Sequence, residues 1–260
     1  MNLTKCNFIR LRNNPLFWTA IVISIFNPLY TVLNNYYYGK QFGHRYTPDD
    51  ALVMIADGYI FPIALSIWLS LFIGIEYSDK TIRNKIIAGH SRIKVYLSNL
   101  FTSIVSALAM YATGIIVAIS VGIPLLGSFT LPIKMLLPQI LCAVISVSAL
   151  ASIYVLLAML ISSRVISSLT SLLLSAGLAY LPLPLWDKLN SAFCETAVTG
   201  WTHTLYQVIY DFLPTCQLYQ YTSDIEDFPK RLAIFPVCSM LIIAATTAIG
   251  IISFNKKNLK

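Results

Sequence analysis

The residue types that carry most enzyme and metal chemistry are few in this chain and lie far apart. The three histidines fall in three different segments, and the five cysteines contain no Cys-x-x-Cys pair, so the sequence supports no metal site. Ser91 follows His90 but precedes Arg92, which does not match the Gly-x-Ser-x-Gly turn of a nucleophilic serine. No His-Glu-x-x-His motif and no Gly-x-x-x-x-Gly-Lys-Ser/Thr phosphate-binding loop occurs. We therefore expect no catalytic residue, no cofactor in this chain and no nucleic-acid partner.

The polar segment 76–99 has the densest pattern of charged and capping residues. It reads EYSDKTIRNKIIAGHSRIKVYLSN, in which Asp79 is a candidate N-cap, residues 80–88 a candidate helix and Gly89 the position after its end. Such a helix is about 14 Å long at 1.5 Å per residue, too short to cross a bilayer. Such a helix could lie along the membrane surface, attracted to anionic lipid headgroups, or insert into a groove on a partner protein. Three isoleucines would share one face: Ile82, Ile86 and Ile87.

The elements that position this segment are predicted to be membrane spans. The chain has 260 residues, is 57% hydrophobic and 11% charged, and has a mean hydropathy of +0.72, which excludes an ordinary soluble globule. A bilayer core about 30 Å thick needs roughly 17–25 apolar residues. We predict an all-α polytopic membrane protein, one transmembrane domain over 1–260, with six spans at 16–33, 59–75, 101–126, 136–161, 165–181 and 232–254.

The charge distribution predicts the orientation of these spans. If the N-terminus is cytoplasmic, 12 of the 18 basic residues lie inside and nine of the eleven carboxylates lie outside. This arrangement satisfies the positive-inside rule and places both termini in the cytoplasm. We therefore predict a multi-pass protein of the plasma membrane. Segment 76–100 is then a cytoplasmic loop, and segment 182–230 is external.

The external segment 182–230 is too long for a plain connection between spans. It contains apolar residues at helical spacing, so we predict a half-buried amphipathic helix from Trp201, Leu205, Val208, Ile209 and Phe212. A helix resting on the headgroups through aromatic anchors is the alternative.

The same external segment contains two cysteines, Cys194 and Cys216. An oxidising exterior permits a disulfide between them, and two free thiols are the alternative. Closing a loop of this size could contribute roughly 3 kcal/mol in the chain-entropy model.

The segment after the second span resembles a known family. Glu76 and Tyr77, then Lys80-Thr81-Ile82-Arg83-Asn84-Lys85, then Gly89-His90-Ser91-Arg92, resemble the membrane subunit of ABC exporters of the type-2 permease family. The layout is similar over nearly the whole chain: a basic N-terminal segment, six spans and a large external segment before the last. Lys80 departs from the family pattern, in which glycine is common at this position.

The resemblance implies that 76–92 contains a coupling helix that docks on a separate ATPase subunit. The positions that correspond to the coupling motif are Glu76, Thr81, Arg83, Lys85 and Arg92. In such a complex we expect the apolar contact to come from Ile82 and Ile86, with Arg83 and Lys85 pairing with acidic rim groups. Segment 1–15 matches the interfacial connecting helix, although its apolar positions form no clean stripe.

The resemblance also implies partners and cargo. Two ATPase subunits would hold the ATP and Mg, and a second permease subunit, identical or different, would complete the substrate path. Export of peptides or immunity to them is common among small members of this family, and relatives handle drugs, lipids and polysaccharides. Aromatic-containing spans, such as the one that contains Trp68, fit an amphipathic or hydrophobic peptide.

Two other function classes remain open from the residues alone. An ion-coupled carrier or channel is one, but none of the 29 charged residues falls within the predicted spans. A membrane enzyme with its site in 182–230 is the other. Loss of turnover in variants of Asp187, Glu195 or Asp211, in a preparation free of ATPase, would favour the enzyme.

Overall fold

The structure is a computed structural model that describes residues 3–43, 46–48, 60–128, 133–189, 200–223 and 233–258. The helices in these ranges are α1 (Leu3–Arg12), α2 (Pro15–Phe42), α3 (Ile60–Ser78), α4 (Thr81–Ile87), α5 (Arg92–Leu126), α6 (Ile133–Leu160), α7 (Arg164–Tyr180), α8 (Pro182–Leu189), α9 (Trp201–Phe212), α10 (Pro214–Ser223) and α11 (Ile234–Lys256).

Within the described ranges, six helical segments are long and apolar enough to cross a membrane, which confirms the predicted all-α architecture with six spans. They are Pro15–Phe42, Ile60–Ser78, Arg92–Leu126, Leu137–Leu160, Arg164–Leu189 and Ile234–Lys256. Several helices extend beyond the predicted apolar stretches, because a helix that has left the bilayer can continue through polar residues. Helix α5 begins at Arg92, where the Ser91 hydroxyl accepts a hydrogen bond from the Lys94 amide at 3.3 Å.

Small residues bring α3 and α7 close together. Ser66, Ser70 and Gly74 recur every four residues on α3, and Ser70 faces Ser168 of α7 with 3.4 Å between the hydroxyl oxygens. A Cβ atom at Gly74 would lie 2.9 Å from Cγ of Arg164, so the last turns of α3 touch the first turn of α7. Since lipid is as apolar as a leucine side chain, this close packing contributes association energy that hydrophobicity cannot supply between spans.

A tyrosine fills a gap between α5 and α11. Tyr96 of α5 is fully buried, and its hydroxyl donates a hydrogen bond to the carbonyl of Thr246 at 3.3 Å. Its ring lies against Gly250, where a Cβ atom would stand 2.0 Å from the tyrosine oxygen. One turn away, the Thr246 hydroxyl donates to Ser152 of α6 at 2.9 Å. Three spans are therefore joined at one level by a tyrosine, a glycine and two hydroxyls.

The predicted amphipathic helix in the external segment is present as α9, but its burial is the reverse of the prediction. Trp201 is 76% exposed and Val208 is 59% exposed, whereas Tyr210 is buried against α8 and α10. The apolar stripe of a helix points towards the protein only when water surrounds the protein. Beside a membrane the periphery is itself apolar, so the same stripe can point outward.

Most of the short helix α10 is buried, at residues 214–218 and 220, and polar contacts hold it in place. Gln217, fully buried, accepts hydrogen bonds through Oε1 from Ser146 of α6 at 2.7 Å and from Ser239 of α11 at 2.6 Å. Thr215 donates to the carbonyl of Leu178 at 2.8 Å, at the end of α7. Contacts with three spans place α10 between them rather than on the headgroups.

The disulfide hypothesis lies partly outside the described residues. Cys216 is buried on α10, but Cys194 is not in the described ranges, so the bridge stays a prediction.

The glycine beside Tyr96 supplies a test of this packing. Gly250→Ala should lower the free energy of unfolding by about 1–3 kcal/mol, because the added methyl group must displace a buried ring. Thermal unfolding of the detergent-solubilised protein measures the effect. The matched control is Gly177→Ala in α7, where no heavy atom lies within 4 Å of the added Cβ. An unchanged unfolding temperature for Gly250→Ala would contradict the packing described.

Candidate functional site

A buried carboxylate lies where four helices meet. Glu76, in the last turns of α3, is fully buried. Its Oε1 accepts hydrogen bonds from Arg10 of α1 and Lys85 of α4, and its Oε2 accepts one from Asn99 of α5 at 2.6 Å. The carboxylate therefore joins α1, α3, α4 and α5 through a single side chain. We call Glu76, Arg10, Lys85, Asn99 and Asn7 the carboxylate hub.

Asn7 completes the hub from α1. It is 1% exposed, and its amide nitrogen donates to Ser98 at 2.9 Å and to Asn99 at 2.8 Å. Its amide oxygen accepts from Lys85 at 2.9 Å. All three side-chain contacts are to groups on α4 and α5, so a buried polar side chain docks α1 against both helices.

The inward face of α1 explains why its apolar positions form no stripe. Leu3, Asn7, Arg10 and Leu11 share one side of the helix by their spacing, and two of these four are polar. We did not predict a buried role for Asn7, Arg10 or Asn99 from the sequence. The available signal was the interruption of the apolar stripe by an asparagine and an arginine at i and i+3.

The electrostatics of the hub combine two cations with one carboxylate. Burial lowers the pKa of the Arg10 guanidinium and of the Lys85 amine, and the attraction of Glu76 opposes that shift in both. Arg10 also lies over the ring of Phe72, 3.9 Å from its centroid, which adds a cation–π contact. Removing the Glu76 carboxylate would leave two partly buried cations without a counter-charge, whereas removing either cation would leave a one-to-one pair.

The short helix α4 is present, but it does not begin as predicted. Asp79 was the predicted N-cap, whereas its amide donates to the carbonyl of Ile75 at 2.9 Å and continues the hydrogen-bond ladder of α3. The chain then turns through Lys80, which has φ +55°, and α4 starts at Thr81. The Thr81 hydroxyl donates to the carbonyl of Glu76 at 3.1 Å, so the turn is fixed to α3.

The end of α4 matches the prediction for Gly89. This glycine has φ +91°, its amide donates to Ile86 at 3.0 Å, and the amide of His90 donates to Lys85 at 3.2 Å. These two bonds form a Schellman motif, which satisfies the last carbonyls of the helix.

The side chains that α4 turns towards the rest of the protein, and those that it turns away, are not the ones that we predicted. Ile82 is 1% exposed, so it is not available as a docking contact, and Ile86 packs partly buried against the same core. Lys85 pairs with Glu76 within the chain. The reason is the hub, which fixes the rotation of α4 through Lys85. The outward face instead presents Arg83, as predicted, together with Ile87, which is 73% exposed.

Arg92 also has an internal role that the sequence did not indicate. Its Nη1 donates to the carbonyls of Phe254 at 3.2 Å, Asn255 at 2.8 Å and Lys257 at 2.6 Å. These are carbonyls at the C-terminal end of α11, which a guanidinium can cap. Arg92 therefore ties the start of α5 to the end of the last span, and its predicted contact with an ATPase is not supported by this geometry.

A second cation closes the same end of the bundle. Lys257 donates to the hydroxyl of Tyr77 at 2.9 Å and to the carbonyl of Met159 at 2.8 Å. Burial lowers the pKa of this amine to about 8. The residue follows α11 and fastens it to the ends of α3 and α6.

Basic residues dominate the end of the bundle at which these helix ends meet. We call it the basic end. Of the described residues here, two are carboxylates, Glu76 and Asp79, and eleven are basic: Lys5, Arg10, Arg12, Lys80, Arg83, Lys85, Arg92, Lys94, Arg164, Lys256 and Lys257. Within the described ranges, no three His, Cys, Asp or Glu side chains gather in a way that could hold a metal ion.

Glu76→Gln tests the hub. The amide cannot neutralise Arg10 and Lys85, so the variant should lose on the order of 3 kcal/mol of unfolding free energy. Thermal unfolding in detergent and protease sensitivity of α1 are the measurements. Asp79→Asn is the matched control, because it removes an exposed carboxylate at the end of the same helix. Equal unfolding temperatures for the two variants would contradict the role of the hub.

Comparison with known proteins agrees with this geometry. The family model described as "ABC-2 family transporter protein" matches residues 3–178, more than half of the chain, and the matched region runs from α1 into α7. A search of curated proteins gave no significant match. The matched region includes the whole carboxylate hub and both faces of α4. The chain therefore belongs to the ABC-2 family of transporter proteins.

Proposed function

We propose that this chain is the transmembrane subunit of an ATP-driven ABC exporter that couples to separate ATPase subunits through α4. The observation that carries the proposal is the two-sided character of α4. One side is bonded to Glu76 through Lys85 and Thr81, and the other presents Arg83 and Ile87 at the basic end. A helix attached on one side and open on the other suits a groove on a partner protein.

The hub gives this helix a way to act on the spans. A push on α4 is passed by Lys85 to Glu76 and Asn7, and these side chains contact Arg10 of α1 and Asn99 of α5. The connecting helix and two spans would therefore move with α4 as one unit. ATP and Mg would bind to the ATPase subunits, whose closure supplies the push.

The buried Glu76 does not favour an ion-coupled carrier. A carboxylate within a span is often a proton or ion site. Here both of its oxygens are occupied by donors from three other helices. Releasing it to bind an ion would break the attachment of α1 and α4, so its contacts support a structural role.

We propose that the cargo is an amphipathic or hydrophobic peptide, and the support for this is a groove along α2 rather than Trp68. Trp68 is 2% exposed and donates to Ser106 at 3.0 Å, so it does not line a substrate path as first expected. A groove of about 560 Å³ runs along α2 instead, lined by Asn27 and by apolar side chains that include Phe26 and Tyr30. One amide among apolar groups suits a cargo with few polar atoms.

The assembly we propose contains two permease chains and two ATPase subunits. Six spans form half of the substrate path in exporters of this kind, so a second permease chain, identical or different, would complete it. Exposed apolar side chains along α2, such as Phe26 at 68% and Tyr37 at 64%, are available for lipid or for such a chain.

The orientation follows from the basic end, which should face the cytoplasm across a plasma membrane. Reporter fusions after His90 and Asn258 should therefore report inside, and fusions after Gly127 and Ser223 should report outside. Alkaline phosphatase and fluorescent-protein fusions read the two sides. An inside signal at Ser223 would contradict both the orientation and the external position of α10.

Ile87→Asp tests docking. A charged side chain at this exposed apolar position of α4 should cost about 2 kcal/mol or more of binding free energy, about a thirtyfold loss in affinity for the ATPase. Co-purification of the complex and substrate-stimulated ATP hydrolysis are the measurements. The unfolding temperature of the permease alone should not change, because Ile87 is exposed.

Two further variants provide the controls for docking. Ile87→Leu should bind normally because it keeps the apolar contact. Ile86→Asp should lower the unfolding temperature of the permease alone, because Ile86 packs against the core. If Ile87→Asp binds the ATPase as well as Ile87→Leu does, α4 is a connector and the coupling proposal fails.

A further inference from the structure

A cleft opens between α1 and the first turns of α5 at the basic end. Its volume is about 460 Å³. His90 and Lys94 line one part of it, and Leu3, Leu97 and Phe101 line the rest. The ATPase-facing side chains of α4, Arg83 and Ile87, are not among its lining residues. The cleft is therefore a feature separate from the proposed docking face.

The polar and apolar parts of the cleft follow one another along α5. Lys94, Leu97 and Phe101 occur at i, i+3 and i+7, so they lie on one side of the helix over about 10 Å of its length. Leu97 is 42% exposed and Phe101 is 54% exposed. Phe8 of α1 packs edge-to-face against Phe101, with 6.0 Å between the ring centroids. A cation thus stands at one end of an open apolar track that runs towards the interior of the membrane.

The cation in this cleft has no carboxylate partner in the described part of the chain. Lys94 is exposed, and the ion pairs between described residues are those of Glu76 with Arg10 and with Lys85. Asp79, the other carboxylate of the basic end, is exposed at the end of α3. A negatively charged group on a ligand would therefore complement Lys94 without meeting an opposing carboxylate there.

We propose that the cleft binds one anionic phospholipid from the adjacent leaflet. The phosphate would contact Lys94 and His90, and an acyl chain would cover Leu97 and Phe101. The charge of the headgroup complements the basic end, and the order of the track, a cation followed by apolar side chains, matches the order of phosphate and acyl chain in a lipid. A soluble anion would satisfy the lysine but would leave the apolar track uncovered.

The position of the cleft gives the lipid a consequence for the hub. Ser98 lines the cleft and also accepts a hydrogen bond from Asn7 at 2.9 Å. A lipid in the cleft would therefore press α1 against α5 beside the hub and stabilise the packing of the connecting helix.

The test measures lipid binding to the purified full chain by native mass spectrometry. The protein is titrated with phosphatidylglycerol and with phosphatidylcholine of the same acyl chains. Phosphatidylglycerol should bind more tightly, and Lys94→Ala should weaken it about fivefold, since a basic residue near an anionic surface contributes about 1 kcal/mol. Binding of phosphatidylcholine should change much less. The matched control is Lys256→Ala, which removes an exposed charge from the same end outside the cleft.

A second pair of measurements separates a lipid from a free anion. Leu97→Gln should weaken phosphatidylglycerol severalfold, and inorganic phosphate should not displace the lipid. If phosphate displaces it and Leu97→Gln has no effect, the cleft binds a free anion and the proposal is overturned. Equal effects of Lys94→Ala and Lys256→Ala would overturn it as well, because they would show general attraction to the basic end. Unfolding temperatures of the variants, whose changed side chains are exposed, check that each is folded.

Discussion

The architecture of the basic end depends on a carboxylate that is withdrawn from water. An isolated ionised carboxylate in a low-dielectric site is strongly unfavourable, so its neighbours must supply positive charge and hydrogen-bond donors. Glu76 obtains these from three helices other than its own. The positions of α1 and α4 follow from this requirement, because neither helix is long enough or apolar enough to dock by hydrophobic contact alone. Ion pairs and hydrogen bonds hold these helices together here, as a stripe of leucine side chains does in a soluble helical bundle.

The contacts between the spans differ in kind from those at the basic end. Along the membrane the contacts are close approaches at small residues and hydroxyls, such as Gly74 against Arg164 and Thr246 with Ser152. Both kinds of contact occur in α3, which packs through serines and a glycine over most of its length and makes the polar contacts of Glu76 in its last turns. This helix therefore connects the membrane-embedded packing to the surface at which the ATPase is proposed to dock.

Much of the fold could be predicted from the sequence, because a span needs a long apolar run and a helix end needs a recognisable cap. The six spans and the glycine at the end of α4 are of this kind. Which side of a helix points inward could not be predicted for α1, α4 or α9. Hydrophobic periodicity assumes that apolar faces are buried, but α1 buries Asn7 and turns the partly buried Arg10 towards Glu76, and α9 exposes Trp201. Glu76 was expected at the boundary of the membrane, and its burial depends on partners 66 and 23 residues away.

The polar contacts of α10 have a consequence for the biogenesis of the protein. Gln217 is bonded to Ser146, which precedes it in the chain, and to Ser239, which follows it. While the chain is being inserted, α10 is made before α11, so the hydrogen bond from Ser239 to Gln217 cannot yet form, whereas those with Ser146 and with the carbonyl of Leu178 can. It is too short and too polar to remain in lipid alone. We infer that the packing of α10 is complete only after α11 has inserted, although α10 comes first in the chain.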